Sequence, residues 1–173
     1  MKQSPIIFSK PMVLAILAGH KTQTRRLVKL AGKDLPHDAT GEEIAQLVES
    51  PYAHPGDRLW VKEAWCTPQA FDHLRPSVLP MDTPIEYRAD GESRNGGKWR
   101  TPLFMPRWAS RITLEIAAVR MERLQEISEA DARAEGMGSE NPVEAYRTLW
   151  ESLHGMDAWA KNPWVWLLEF AVR

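Results

Sequence analysis

Apolar and polar positions change period several times along this chain of 173 residues. The run P-I-I-F at 5–8 predicts a short strand. Ser9 then offers a helix cap, and Pro11 falls in a first turn, where a missing N–H costs nothing. Met12, Val13, Ile16 and Leu17 recur at helical spacing and share one face. Gly19 supplies the stop, because glycine tolerates a positive φ. Residues 24–30 predict a strand and 42–49 a short helix. After the P-G-D turn at 55–57, Leu59 and Val61 alternate with Arg58 and Lys62 as a half-buried strand would. A further strand is expected at 86–89. Residues 111–123 alternate most strongly, with Ile112, Leu114 and Ile116 opposite Thr113 and Glu115. Ser128-Glu129-Ala130-Asp131 combines a serine cap with early acids, so a helix runs from there to about Glu135 and ends at Gly136. Pro142–His154 is amphipathic, with Ala145, Leu149, Trp150 and Leu153 on one side. The closing N-P-W-V-W-L-L-E-F-A-V-R reads as a buried strand.

Strands with inserted helices, but no βαβ repeat and no Rossmann glycine pattern, indicate an α+β fold built on a small mixed β-barrel with short helices around it. The length suits a single domain over 1–173, with insertions near 31–50 and 67–98. Charge adds one asymmetry. The net charge of −1 argues against a general polyanion glue, yet all 23 acidic residues lie beyond Lys33, leaving a basic N-terminal segment that could attract an anion locally. A single cysteine, Cys66, excludes an internal disulfide and reads as a small buried hydrophobe. It fits a reducing, cytoplasmic setting, the expected location. No stretch has the length of a membrane span or the pattern of a signal peptide, so no membrane partner is expected.

The candidate chemistry lies in H-K-T-Q-T-R-R, residues 20–26, where a helix stops and a strand begins. Taken alone, K-T-x-T is most often a surface turn. It acquires meaning from its companions. In order, they are G-x-K-T-x-T-R at 19–25, a P-G-D turn into R-L-W-V-x-E at 58–63, M-P-R-W-A-S-R-I at 105–112, S-x-x-D-A-x-x-E-G at 128–136 and W-V-x-x-x-E-F at 164–170. This series resembles the ASCH domain, a PUA-like fold, and within it the longer phage- and prophage-associated branch. The resemblance spans nearly the whole chain. It implies an RNA- or nucleoside-directed function. It also implies similarity to small bacterial amidohydrolases that remove the acetyl group from N4-acetylcytidine, whose key positions correspond to Lys21, Thr24 and Glu135.

Amide hydrolysis needs a nucleophile, a base and an oxyanion donor. Thr24 is the expected nucleophile. Lys21 is the expected base, provided burial and the neighbouring Arg25 and Arg26 keep it partly neutral. Glu135 is its partner. Backbone amides near Gly19, or an arginine, are the candidate oxyanion donors. The alternative is a noncatalytic RNA- or nucleotide-binding module using Arg25, Arg26, Lys29, Arg107 and Arg111, with Trp65 and Trp108 as stacking faces. A ribonuclease using the same basic pocket is a third reading. No cofactor is expected: there is no Walker or dinucleotide motif. Nor is a metal, since His20, His37, His54, His73 and His154 are scattered without ligand spacing.

Overall fold

The computed structural model describes residues 1–28, 40–47 and 54–173, with the side chains of all these except 45–47. The elements run β1 (Gln3–Ile7), α1 (Lys10–Leu17), β2 (Gln23–Leu27), α2 (Gly41–Leu47), β3 (Arg58–Lys62), β4 (Trp65–Cys66), β5 (Glu86–Tyr87), β6 (Thr113–Arg123), α3 (Glu129–Ala134), α4 (Pro142–His154) and β7 (Trp164–Val172). Five strands form one mixed sheet in the order β1-β3-β6-β7-β2, and β4 pairs with β5 in a separate small sheet. Only the β1–β3 pairing in the large sheet is parallel.

The architecture is α+β, but the large sheet is not closed into a barrel. Among the described residues β1 and β2 are its two edges. What spans them is a side chain rather than a ladder: Arg26 Nη2 donates to the Ile7 carbonyl at 2.8 Å. A charged side chain laid along an edge satisfies that edge without main-chain pairing.

The main core joins α1 to the sheet through Val13, Ile16, Phe8, Leu59, Leu114, Ile116 and Phe170. Met12 packs against it in part, but Leu17 is half exposed, so the buried face of α1 is narrower than the sequence spacing suggests. A second cluster holds α3 and α4 against β7 through Ala132, Tyr146, Trp150 and Val165. The buried positions of α4 are Pro142, Tyr146 and Trp150, a strict four-residue ridge. Leu153, expected on that face, is 55% exposed.

Two glycines place the residues that follow or precede them. Gly19, at φ +74°, turns the chain from α1 towards β2. Gly136, at φ +97°, ends α3 immediately after Glu135. At the other end of α3, Ser128 and Asp131 cap each other's backbone reciprocally. A Cβ on Gly136 would lie 3.0 Å from the Ala15 Cβ and 3.5 Å from the Lys21 Cβ. Gly136→Ala therefore combines a disfavoured backbone angle with a tight contact, and should cost about 1–3 kcal/mol in urea unfolding. A wild-type midpoint would show that neither the angle nor the contact matters.

Candidate functional site

The site is built where the turn after α1 meets the end of α3. The amides of His20 and Lys21 both donate to the Ala15 carbonyl, which draws residue 21 back against the helix. Thr22 N then donates to the Ala134 carbonyl at 2.8 Å, and Lys21 forms an isolated antiparallel bridge with Glu135. Two chain segments separated by 114 residues are thereby joined backbone to backbone.

The side chains continue the bridge. Lys21 Nζ lies 2.6 Å from Glu135 Oε2 and donates to the Glu135 carbonyl at 3.0 Å. Lys21 is 1% exposed and Glu135 3%. The Phe8 ring lies beneath the ammonium, 5.7 Å from its centroid. On the other carboxylate oxygen, Arg25 Nη1 donates to Oε1 at 3.1 Å. Arg25 Nε donates to Glu122 Oε1 at 2.8 Å, and Nη2 lies 3.6 Å from Asp131 Oδ2. Glu135 is thus held by a lysine on one oxygen and an arginine on the other.

Burial pushes the Lys21 amine below the ordinary lysine range, because it penalises the charged form. Glu135 opposes this through charge and hydrogen bonding; Arg26 and Arg25 reinforce it. Tyr146, projecting from α4, is held well above the ordinary phenol range, first by burial and then by the Glu135 carboxylate.

Thr24, Arg25, Glu135 and Tyr146 line one small cavity at the β2 edge, closed by Met12, Leu149, Trp150, Leu153 and His154. Its volume is about 20 Å³, room for about one water. Thr24 is 2% exposed, and its hydroxyl makes no hydrogen bond among the described residues. A wider cleft of about 430 Å³ borders the same bridge, lined by Gly19, His20, Thr22, Arg133, Ala134, Gly136, Met137 and Gly138.

Lys21 and Glu135 meet, and Thr24 shares a cavity wall with Glu135. The other expected contacts fare differently. Trp65 is fully buried, packed with Leu79, Met105 and Ala109, and offers no stacking face. Trp108 is partly buried against that cluster. Arg25 is 3% exposed and committed to carboxylates, so it cannot serve as a surface phosphate contact. Arg111 grips Glu63 with two nitrogens, at 2.9 and 3.1 Å, reaches Asp90 at 2.8 Å and stacks over Tyr87. Arg26 spans the sheet edges. Arg107 is exposed and lies beside Gln3, Thr113 and the Trp60 ring. Lys29 lies outside the described residues. The amides near Gly19 are consumed by the end of α1, Gly19 N donating to Ile16 and the next two to Ala15, so they are not free oxyanion donors.

Sequence reasoning did not single out Glu122, Asp131 in its second role, or Tyr146. The one available signal was the spacing of Pro142, Tyr146 and Trp150. Among the described residues no group of three or more His, Cys, Asp or Glu side chains could hold a metal ion.

No protein-family model matches the chain, and no curated protein matches it. Solved structures do. One is an ASCH domain from Lactobacillus crispatus JV V101, 15% identical, with a TM-score of 0.49 over 99% of this chain and 79% of the other. Another is the protein EF3133 from Enterococcus faecalis V583, 11% identical, with a TM-score of 0.46 over 99% and 80%. The first bears the domain name that the sequence motifs resemble. Neither is close enough to pass on a ligand or an activity.

The depressed Lys21 pKa has a stability consequence. The unfolded chain binds this proton more tightly than the folded one, so stability rises with pH between the folded value and the ordinary lysine value of about 10.4. The difference in unfolding free energy between wild type and Lys21→Met should shift in favour of wild type from pH 7 to pH 10, by at most about 1.4 kcal/mol per pH unit. A flat or falling difference would mean that Lys21 is fully charged in the fold.

Proposed function

We propose that Lys21, Thr24 and Glu135 hydrolyse the N4-acyl amide of a modified cytidine or a related nucleoside. The observation that carries this reading is a lysine almost wholly buried, 2.6 Å from an equally buried glutamate that lines a cavity with a threonine hydroxyl. Such a lysine is poised to lose its proton, and perturbed groups of this kind concentrate where chemistry is done. The cytidine class rests on the resemblance of G-x-K-T-x-T and the later glutamate to the amidohydrolase positions.

In the reaction, Thr24 Oγ1 attacks the acyl carbonyl and its proton passes to the neutral Lys21 amine. Glu135 orients that amine and stabilises the ammonium as it forms. Collapse of the tetrahedral intermediate breaks the bond from the carbonyl carbon to N4. The ammonium returns its proton to N4, and the nucleoside leaves. Water then attacks the threonine ester with Lys21 again as base, releasing the carboxylic acid and restoring the hydroxyl. Arg25 occupies the second Glu135 oxygen and keeps that carboxylate from holding the lysine proton too firmly. Entry of the acyl group requires the side chains over the cavity to move. Leu153 and His154, in the last turn of α4, are both exposed and positioned to do so.

The binding-module alternative loses Arg25 and Trp65, both buried, as accessible contacts, while Arg111 is exposed but committed to Glu63 and Asp90.

Purified protein should release acetate and cytidine from N4-acetylcytidine, followed by proton NMR. Lys21→Arg keeps a cation but supplies no base, and should lower kcat by about 10²–10⁴-fold. Thr24→Val should abolish turnover while leaving the fold intact by circular dichroism. Wild-type protein inert towards N4-acylated nucleosides, or fully active Lys21→Arg, would sink the proposal.

A further inference from the structure

The segment 67–98 and the M-P-R-W run at 105–108 contribute nothing to the site described above. They meet elsewhere, through two proline-led turns, Pro76–Val78 and Pro102–Phe104. Each turn is followed by a residue anchored in the Trp65 cluster, Leu79 after the first and Met105 after the second. The residues just before those anchors are left outside: Val78 is 60% exposed and Phe104 61%. The turns line a groove of about 500 Å³, formed by Arg75, Pro76, Ser77, Phe104 and Pro106. That volume lies within the range of pockets that enclose a ligand, about 300–1,000 Å³.

Val78, Leu103 and Phe104 are all exposed apolar side chains at or beside this groove, and such clustering marks an interaction surface rather than a core. Prolines fix the backbone on both walls, so the groove exists before anything enters it. Its rim is cationic. Arg75 lines it, Arg107 follows Pro106, and Lys62 Nζ donates to the Leu103 carbonyl at 2.7 Å. None of the three has a carboxylate partner among the described residues, whereas Arg25, Arg111 and Arg173 are all ion-paired. Asp72, the acid nearest Arg75 in sequence, accepts from the Lys98 amide. Arg107 touches only Gln3 and Thr113, at 3.4–3.5 Å, and is free to turn towards an anion.

The occupant must therefore be apolar and anionic together. A single-stranded nucleic acid would need a row of open aromatic faces. Here Trp60 already carries Lys62 and Arg107 over its ring, at 5.2 and 5.8 Å, Trp65 is buried and Trp108 is half-buried, which leaves Phe104 alone. A deep apolar pocket with a charged rim is instead the form of a side-chain anchor site between proteins. We propose that this groove docks a segment of another protein that carries a large apolar side chain flanked by carboxylates. The apolar side chain sits against Phe104, and the carboxylates meet Arg75, Arg107 and Lys62.

The probe is a fluorescein-labelled, amidated peptide, Asp-Glu-Leu-Phe-Glu-Asp, titrated with the whole chain and followed by fluorescence anisotropy. Two controls replace Leu-Phe by Ser-Ser or the four acids by lysine. The acidic-apolar peptide should bind saturably and the controls should not. Phe104→Ser and Arg75→Glu should each weaken binding about tenfold or more. Both variants should melt as wild type does, since neither side chain is buried. Added salt should weaken wild-type binding more than that of Arg75→Glu. Amide shifts in NMR should fall on residues 75–78 and 103–107. Absence of saturable binding, or binding that Phe104→Ser leaves intact, overturns the proposal. So does an oligouridylate that binds more tightly than the peptide and is lost in Phe104→Ser, which would assign the groove to nucleic acid. A wild-type dimer in sedimentation that Phe104→Ser dissociates would overturn it in favour of a second copy of this chain.

Discussion

A lysine buried to 1% exposure must have its charge answered or lose it, and in this molecule both pressures act on Lys21. The answer is Glu135, and the structure around the pair is organised to keep that carboxylate in place. Gly136 turns the chain away at once after it, the Ser128–Asp131 cap fixes the start of the helix that presents it, and the Lys21–Glu135 backbone bridge aligns the segments before their side chains meet. Removing one partner of such a pair costs about 3–5 kcal/mol, because the other is left buried and uncompensated. A fold that needed only stability would fill the space with apolar side chains. Retention of the ions at this point is therefore itself an argument for chemistry.

Arg25 makes the arrangement more than a salt bridge. A lone glutamate 2.6 Å from the amine would hold Lys21 charged. With Arg25 on its second oxygen, and Glu122 and Asp131 in turn beside Arg25, the carboxylate is shared between two cations. Desolvation then prevails over attraction, and the lysine is displaced towards neutrality. The charge cluster thus does two jobs with one geometry: it satisfies buried ions, and it leaves Lys21 with a lowered proton affinity.

Much of this was legible in the sequence, for definite reasons. Helix α1, its stop at Gly19 and the closing strand are local matters, set by periodicity and by glycine, and they read directly. So did α4, whose bounds match the expected ones. The face of α4 did not, because Tyr146 reads as half polar and Leu153 as apolar, and the tertiary packing that decides between them lies on β7. The family resemblance named Lys21, Thr24 and Glu135, but neither their burial nor Arg25's commitment to Glu122 can be read from spacing, since each depends on contacts across about a hundred residues. Trp65 failed as a stacking face for the same reason. It lies near polar Glu63 and Thr67 in sequence, while its neighbours in space are Leu79 and Met105. The barrel expectation rested on strands with inserted helices and the absence of a βαβ repeat. Closure depends on how two edges meet, and here Arg26 occupies that seam.

The closed cavity bears on how such a site would work. Its space of about 20 Å³ borders Glu135 and Thr24 rather than Lys21, and the lowered pKa of Lys21 rests on the burial of that side chain itself. Opening the last turn of α4 to admit a ligand would expose Glu135, the partner that fixes Lys21. In the proposed reaction an acyl group seated against Thr24 would keep water from Glu135 while bringing its carbonyl to the hydroxyl. A ligand too polar or too small to seal the opening would leave Glu135 hydrated and weaken its hold on Lys21. In the proposed reaction, selectivity for an acylated base over its free amine would then arise from that desolvation.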